Sequence, residues 1–340
     1  MKLDKNITQG KGVFIFSDPA GSNTVFAIVD FLISIKKKHS IDFLIFTNKT
    51  GVFEKKYTGI VERIDFNDEF CVNIQKIFNP DYIFSATSNN NFEHLWRKFF
   101  LEKVKTYSFI DHWSNYYKRF HFDNEVVFGD EIWVINKIAK IEAVEEGIPA
   151  IKLKIKGNPY YEKVKKYKPK IHRNTFIESI NLSVKKKTIL FISDDIKLNY
   201  DENHLGDCIL GYDEYSVLRD VLESLKKLEL DNNFNFSFFQ FVIKIHPKAS
   251  ILKFDNLIKD FNFCKIKIIK DINSLTLNYY SDYSIGMFSN MVIESYLMNK
   301  KLLRVQTGQA LEDIMKLNLL KNKVVTNKNE LYLKLNNFLS

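Results

Sequence analysis

The chain has 340 residues, 45% hydrophobic and 14% aromatic, enough for one or two buried cores, and two are expected at this length. Thirty Phe and sixteen Tyr against twelve Gly and six Pro exclude a disordered chain. The net charge of +9 is carried by lysines spread over 36–38, 152–170, 185–187 and 321–328, with no arginine-rich arm, zinc-finger spacing or RNP-like signature, so no nucleic-acid partner is expected.

In chain order, residues 12–17 (GVFIFS) form an apolar strand run that ends in the capping loop SDPAGSN. Helical spacing follows over 24–35. Strands are predicted at 41–47, 61–66, 82–85, 106–110 and 131–135, with helices at 72–78, 92–104 and 138–146 and a last strand at 148–151. Residues 152–187 then carry eleven lysines and two prolines with little apolar periodicity, which reads as a linker containing a helical segment.

After it the pattern restarts. Strands are predicted at 188–193, 241–245, 266–269, 283–285 and 302–305, and helices at 212–228, 251–260, 272–280, 291–298 and 330–339. Apolar runs joined by helices imply parallel sheets with right-handed crossovers. The expected architecture is α/β, with two doubly wound Rossmann-like domains facing one another. Their expected bounds are 1–155 and 186–328, with the linker at 156–185 and a closing helix at 329–340. Cys71, Cys208 and Cys264 are too scattered for a zinc site or a disulfide framework. The first residues lack a signal-peptide core, and no run reaches the ~20 apolar residues of a membrane span. A cytoplasmic protein is expected, with at most peripheral contact at the inner face of the cell membrane through its basic surface.

Ligands of such sheets bind beyond the carboxyl ends of the strands. In the second half those ends carry His246-Pro247, then Gly286-Met287-Phe288-Ser289-Asn290 opening an apolar helix with Glu294 one turn further on, and Ser193-Asp194-Asp195. A helix start offers free N–H groups that suit a phosphate, and Ser289 or Asn290 also fits as an N-cap. Glu294 is placed to bind a ribose or to lie on a helix surface. Asp194 and Asp195 fit a ligand contact or a turn cap, and 211–214 fits a cap as well as a site.

The order His246-Pro247, Ser281-Asp282-Tyr283, Gly286 to Asn290, Glu294, Lys300-Lys301-Leu302-Leu303 and Gln306-Thr307-Gly308 resembles the C-terminal domain of GT-B glycosyltransferases. More narrowly it resembles sialyltransferase-like enzymes of bacterial capsule and lipooligosaccharide synthesis. That resemblance implies that His246, Ser289 and Asn290 grip the donor phosphate and Glu294 the ribose. It also implies an inverting, metal-independent transfer from a nucleotide sugar, CMP-linked nonulosonic acid being the expected donor, to a glycan or glycolipid hydroxyl. No other cofactor is expected. UDP-N-acetylglucosamine 2-epimerases and glycerophosphotransferases of teichoic acid synthesis share similar C-terminal patterns. This chain has Ser-Asn where many sialyltransferase-like enzymes have two hydroxyl residues, so a UDP-sugar transferase or an epimerase-like enzyme is the alternative, with a non-catalytic nucleotide-sugar-binding protein as a third reading.

In the first half, Asp111 and His112 end the strand at 106–110, within FIDHWSNYYKRF. GT-B enzymes bind their acceptor on the N-terminal domain, which makes Asp111 or His112 a candidate general base. Trp113, Tyr116 and Tyr117 are spaced as a helix face, and such stripes are more often core than ligand platform. Arg119 would contact an acidic acceptor or pair with an acid. Asp18 competes as base in a loop where Gly21 would let a ligand approach the backbone and Ser22-Asn23 could cap the helix. Residues 85–91 (SATSNNN) form a further polar cluster expected to line the acceptor side.

Overall fold

The computed structural model describes residues 3, 5–36, 41–88, 90–199, 208–231, 234–246, 249–313, 315 and 324–340. The chain divides into two units, Met1–Lys163 and Val164–Ser340.

In the first unit the strands are β1 (Lys11–Phe16), β2 (Asp42–Thr47), β3 (Glu62–Arg63), β4 (Tyr82–Ser85), β5 (Lys105–Ile110), β6 (His121–Phe122), β7 (Glu125–Val126), β8 (Glu131–Val134) and β9 (Leu153–Ile155). All but β6 and β7 join one parallel sheet in the order β3-β2-β1-β4-β5-β8-β9. The helices are α1 (Lys5–Gln9), α2 (Pro19–Ile35), α3 (Asp68–Ile77), α4 (Phe92–Phe100) and α5 (Lys137–Glu145). On one side of the sheet, Val13, Ile15, Phe46 and Ile83 pack with Cys71, Ile74, Phe92, Trp96 and Phe100. Trp96 stacks on Phe46 at 5.3 Å and on Phe100 at 5.8 Å. Truncating a buried aromatic of this size costs about 3–5 kcal/mol.

The second unit repeats the plan. After helix α6 (Pro159–Lys165), which spans the division between the units, come α7 (Arg173–Ser179), β10 (Lys187–Ile192), α8 (Ile196–Asn199), α9 (Glu214–Leu230), β11 (Phe239–Lys244), α10 (Ile251–Ile258) and β12 (Lys265–Ile269). These are followed by α11 (Ser274–Tyr280), β13 (Tyr283–Gly286), α12 (Asn290–Leu297), β14 (Lys301–Val305), β15 (Val324–Val325) and α13 (Lys328–Leu339). The sheet order β12-β11-β10-β13-β14-β15 is again parallel throughout. Two parallel Rossmann-like sheets agree with the α/β class expected from the sequence.

One local device recurs in both sheets. An aspartate just before a strand accepts the amide at the start of the neighbouring strand: Asp81 from Lys11 at 2.7 Å, Asp130 from Thr106 at 2.8 Å and Asp282 from Thr188 at 2.8 Å. Each satisfies a donor that the ladder leaves over.

Four details differ from the sequence expectation. Residues 148–151 are not a strand: Ala150–Lys152 is a 3-10 turn after Pro149, and β9 begins directly after it, at Leu153. The strand expected over 61–66 shrinks to Glu62–Arg63. Helix α4 stops at Phe100, before Glu102 with φ 65°. The hairpin β6–β7 is not among the expected elements, and Asp123 and Asn124 take the positive φ values, 47° and 61°, that its tight two-residue turn needs.

Candidate functional site

In both sheets the strand order reverses at one point, between β1 and β4 in the first unit and between β10 and β13 in the second. The loops leaving those strands are where a doubly wound sheet binds its ligand.

In the first unit, β1 delivers Ser17 and Asp18, β4 delivers Thr87 and Ser88, and β5 delivers Asp111 and His112. Asp18 is the N-cap of α2, accepting the Gly21 amide at 2.6 Å, and Pro19 takes the first helical position. Ser22 and Asn23 therefore do not cap the helix. The Ser22 hydroxyl donates to the Pro19 carbonyl at 2.8 Å, and Asn23 lies half-buried in the first turn. A Cβ on Gly21 would lie 2.6 Å from the Ala86 Cβ, so this glycine lets the helix start rest on the end of β4.

Beside Asp18 lies a carboxylate that the helical pattern over 92–104 does not single out. Glu93, at the start of α4, is 1% exposed. The Ser17 hydroxyl donates to one of its oxygens at 2.7 Å and the Ser88 hydroxyl to the other at 2.8 Å. The Asn90 amide donates to the Ser17 oxygen at 2.6 Å. Of the polar cluster 85–91, Ser85, Thr87, Ser88 and Asn90 are engaged in this part of the unit, while Asn89 lies outside the described residues. Burial raises the Glu93 pKa against its two serine donors. Burial first, then the charges of Asp111 and Glu93, pushes the Asp18 pKa up to about 7, opposed by the Gly21 amide and by Arg119.

Arg119 meets Asp111 at 3.0 Å and also donates to the Thr87 carbonyl at 2.9 Å and the Ser114 carbonyl at 3.3 Å. It ties the β4 and β5 loops together and is itself steadied by Arg97, which donates to its carbonyl at 3.1 Å. His112 lies 3.2 Å from the Ser114 hydroxyl. Burial and the nearby Arg119 push its pKa down to about 4, with Asp111 opposing, so the imidazole is neutral at pH 7.

The stretch FIDHWSNYYKRF is not a helix. Asn115 takes a left-handed φ of 55°, and only Lys118–Phe120 forms a 3-10 turn. Its aromatics are nevertheless structural: Trp113 and Tyr116 are buried, with their polar ends on Asn136 at 3.3 Å and Glu142 at 2.8 Å. Asp111, His112 and Arg119 are the members of the stretch that join the polar cluster.

In the second unit, Ser193 donates to the Asp194 carbonyl at 3.1 Å, and the Asp194 carboxylate accepts the Phe288 amide at 3.1 Å, joining the β10 and β13 loops. Asp195 meets His246 at 3.2 Å. Burial pushes the Asp194 pKa up to about 6, the Phe288 amide and Ser289 hydroxyl pulling the other way, Glu214 adding to the rise and Arg304 resisting it. The Ser289 hydroxyl, though near Asp194, has no well-formed hydrogen bond among the described residues. Ser289 is the N-cap residue of α12 without a side-chain cap bond, Asn290 is the first helical residue, and Glu294 is buried one turn on. Gly286 permits the tight strand-to-helix turn, since a Cβ there would lie 2.7 Å from Val292. Glu214 accepts the Ile196 and Lys197 amides at 3.1 Å each and so holds the loop after β10. Pro247 lies outside the described residues. Among the described residues no group of three or more His, Cys, Asp or Glu side chains is arranged to hold a metal ion. No helix among them is long and apolar enough to cross a membrane.

These two sheets define a GT-B-like fold. UDP-GlcNAc 2-epimerase from Methanocaldococcus jannaschii is similar over 96% of this chain and 91% of its own, at 15% identity and a TM-score of 0.60. The Neisseria meningitidis UDP-GlcNAc 2-epimerase bound to UDP-GlcNAc is similar over 88% and 83%, at 13% identity and a TM-score of 0.56. Anabaena HepE in complex with UDP-glucose is similar over 98% and 90%, at 12% identity and a TM-score of 0.61. At these identities the likeness shows the fold. No protein-family model matches the sequence, and no curated protein matches it.

Proposed function

We propose that the protein is an enzyme that uses a UDP-linked sugar and breaks the bond between the anomeric carbon and the diphosphate. The observation that carries the reading is the cluster at the ends of β1, β4 and β5, where the charges of Asp111 and Glu93 act on Asp18, Arg119 pairs with Asp111, and the Asp18 pKa is pushed up to about 7. A carboxylate with that pKa suits proton exchange at physiological pH. UDP replaces the CMP-linked nonulosonic acid that the sequence resemblance implied, because the similar folds described above carry UDP-GlcNAc or UDP-glucose.

In this reading the second unit holds the nucleotide. Ser289, Asn290 and the α12 amides take the phosphate, His246 supports it and Glu294 takes the ribose. The first unit supplies the base and the acceptor contacts. Asp111 is engaged by Arg119, which leaves Asp18 as the better base, while neutral His112 lies near Arg119 and Asp111. As Asp18 takes the proton of an acceptor hydroxyl, that oxygen attacks the anomeric carbon from the side opposite UDP. The C–O bond to the phosphate breaks, and its electron pair leaves on UDP, with inversion. The acceptor class is a glycan or glycolipid of a bacterial surface, met at the cytoplasmic face of the cell membrane.

A second reading, epimerisation at C2 of a UDP-sugar, is favoured by the number of carboxylates. That reaction needs one group to remove the C2 proton as UDP leaves and another to return a proton on the opposite face before UDP re-adds.

The test is calorimetric titration with UDP, CMP, CDP and GDP, followed by product analysis with UDP-GlcNAc and UDP-glucose. Acceptor-dependent release of UDP supports transfer, and a sugar altered at C2 without acceptor supports epimerisation. CMP-selective binding that is lost in His246→Ala and Ser289→Ala would return the donor to the CMP class. Absence of binding by all four nucleotides overturns the reading.

A further inference from the structure

We propose that Arg304, buried in β14, is a positioning residue for the donor phosphate: paired with Asp313, it sets the orientation of the Met287–Phe288 peptide and so of the loop that opens α12. The inference rests on the nucleotide reading of the second unit given above.

The Arg304 side chain is 0% exposed. Its two terminal nitrogens meet the two Asp313 oxygens at 2.6 Å each, and its Nε donates to the Met287 carbonyl at 2.8 Å. The amide of the same peptide, Phe288 N–H, donates to Asp194 at 3.1 Å. In a planar trans peptide the C=O and N–H point in opposite directions, so bonds to both remove its rotation. In the sheet β13 lies between β10 and β14, and the two bonds come from one neighbour on each side. The next residue is Ser289, the N-cap residue of α12, whose hydroxyl lies near Asp194 without a well-formed hydrogen bond among the described residues. Bracing the Met287–Phe288 peptide therefore sets the path on which the chain enters Ser289 and the first turn of the helix.

A buried ion pair adds little stability over an apolar pair of equal volume. What an apolar pair lacks is the third donor. Arginine alone offers a fork for a carboxylate together with a separate Nε–H, and lysine has no equivalent. Asp313 is itself oriented by Gln306 at 3.1 Å and the Met315 amide at 3.1 Å, so the guanidinium is held from behind as well. Burial would raise the Asp313 pKa, but Arg304, with help from Gln306 and the Met315 amide, holds it below the usual carboxylate value.

The experiment compares the full-length wild type with Arg304→Lys and with the double variant Arg304→Met, Asp313→Leu, reading UDP affinity by calorimetry and Phe288 amide exchange without ligand. The expected result is a double variant that melts near the wild-type temperature, with faster Phe288 exchange and UDP binding weakened about tenfold, the effect of losing one net hydrogen bond. In turnover the loss falls on KM more than on kcat. Wild-type UDP affinity and wild-type Phe288 protection in the double variant would overturn the inference. If the double variant does not fold, Asp313→Asn carries the same two readouts and the same criteria. A wild type that binds no UDP would instead overturn the nucleotide reading, and the exchange rates alone would then decide whether Arg304 braces the peptide.

Discussion

At the scale of single residues, Asp18 carries the most specific chemical expectation. As a base it must be ionised, so kcat/KM should rise with pH to a midpoint near 7. Asp18→Asn should lower turnover by about 10²–10⁴-fold and remove that limb. A limb unchanged in the variant would assign the ionisation to another group. The same shift has a sign for stability. The folded state holds the Asp18 pKa above its ordinary 3.8, so the protein loses stability through this group as pH rises from about 4 to about 7. Asp18 itself was legible as a strand-end acid, but its company was not. Ser17 and Glu93 are 76 positions apart, and nothing local marks the glutamate as buried. The one available hint was its position directly after the polar run at the end of β4.

At the scale of elements, caps and turns were better written into the chain than strand ends. Asp213 opens α9 with a complete capping box: it accepts from Tyr215 at 2.9 Å and Ser216 at 2.7 Å, and the Ser216 hydroxyl accepts from the Asp213 amide at 2.9 Å. Asp213→Ala should lower stability by about 1 kcal/mol, seen as a lower urea midpoint at unchanged slope. An unchanged midpoint would mean that the helix start is held by its packing alone. The strand expected at 148–151 does not form there because the chain winds into a 3-10 turn at Ala150–Lys152 after Pro149, and pairing with β8 starts only at Leu153. The helix stripe expected at Trp113, Tyr116 and Tyr117 failed for a related reason. Periodicity registers burial, and Trp113 and Tyr116 are indeed buried, but the backbone at Asn115 turns the other way.

At the scale of the whole molecule, ligand binding is read out as stability. UDP at one hundred times its Kd should stabilise the native state by about 2.7 kcal/mol. For a folding unit of the size of the second, that is a rise of about 5–10 °C in Tm. His246→Ala and Ser289→Ala should each reduce the rise, and an equal rise in both variants would move the nucleotide elsewhere.

By itself the sequence determined the two alternating α/β halves, the parallel strands and the loops worth inspecting. Apolar runs, helix caps and turn residues act over a few positions and leave their mark locally. Only the tertiary structure decided which acids share a cluster, that Asp18 titrates near neutrality, and that a fully buried arginine in β14 holds the peptide ahead of Ser289. Burial, Coulomb interaction and hydrogen bonding depend on distance in space, and these partners come from strands and loops far apart along the chain.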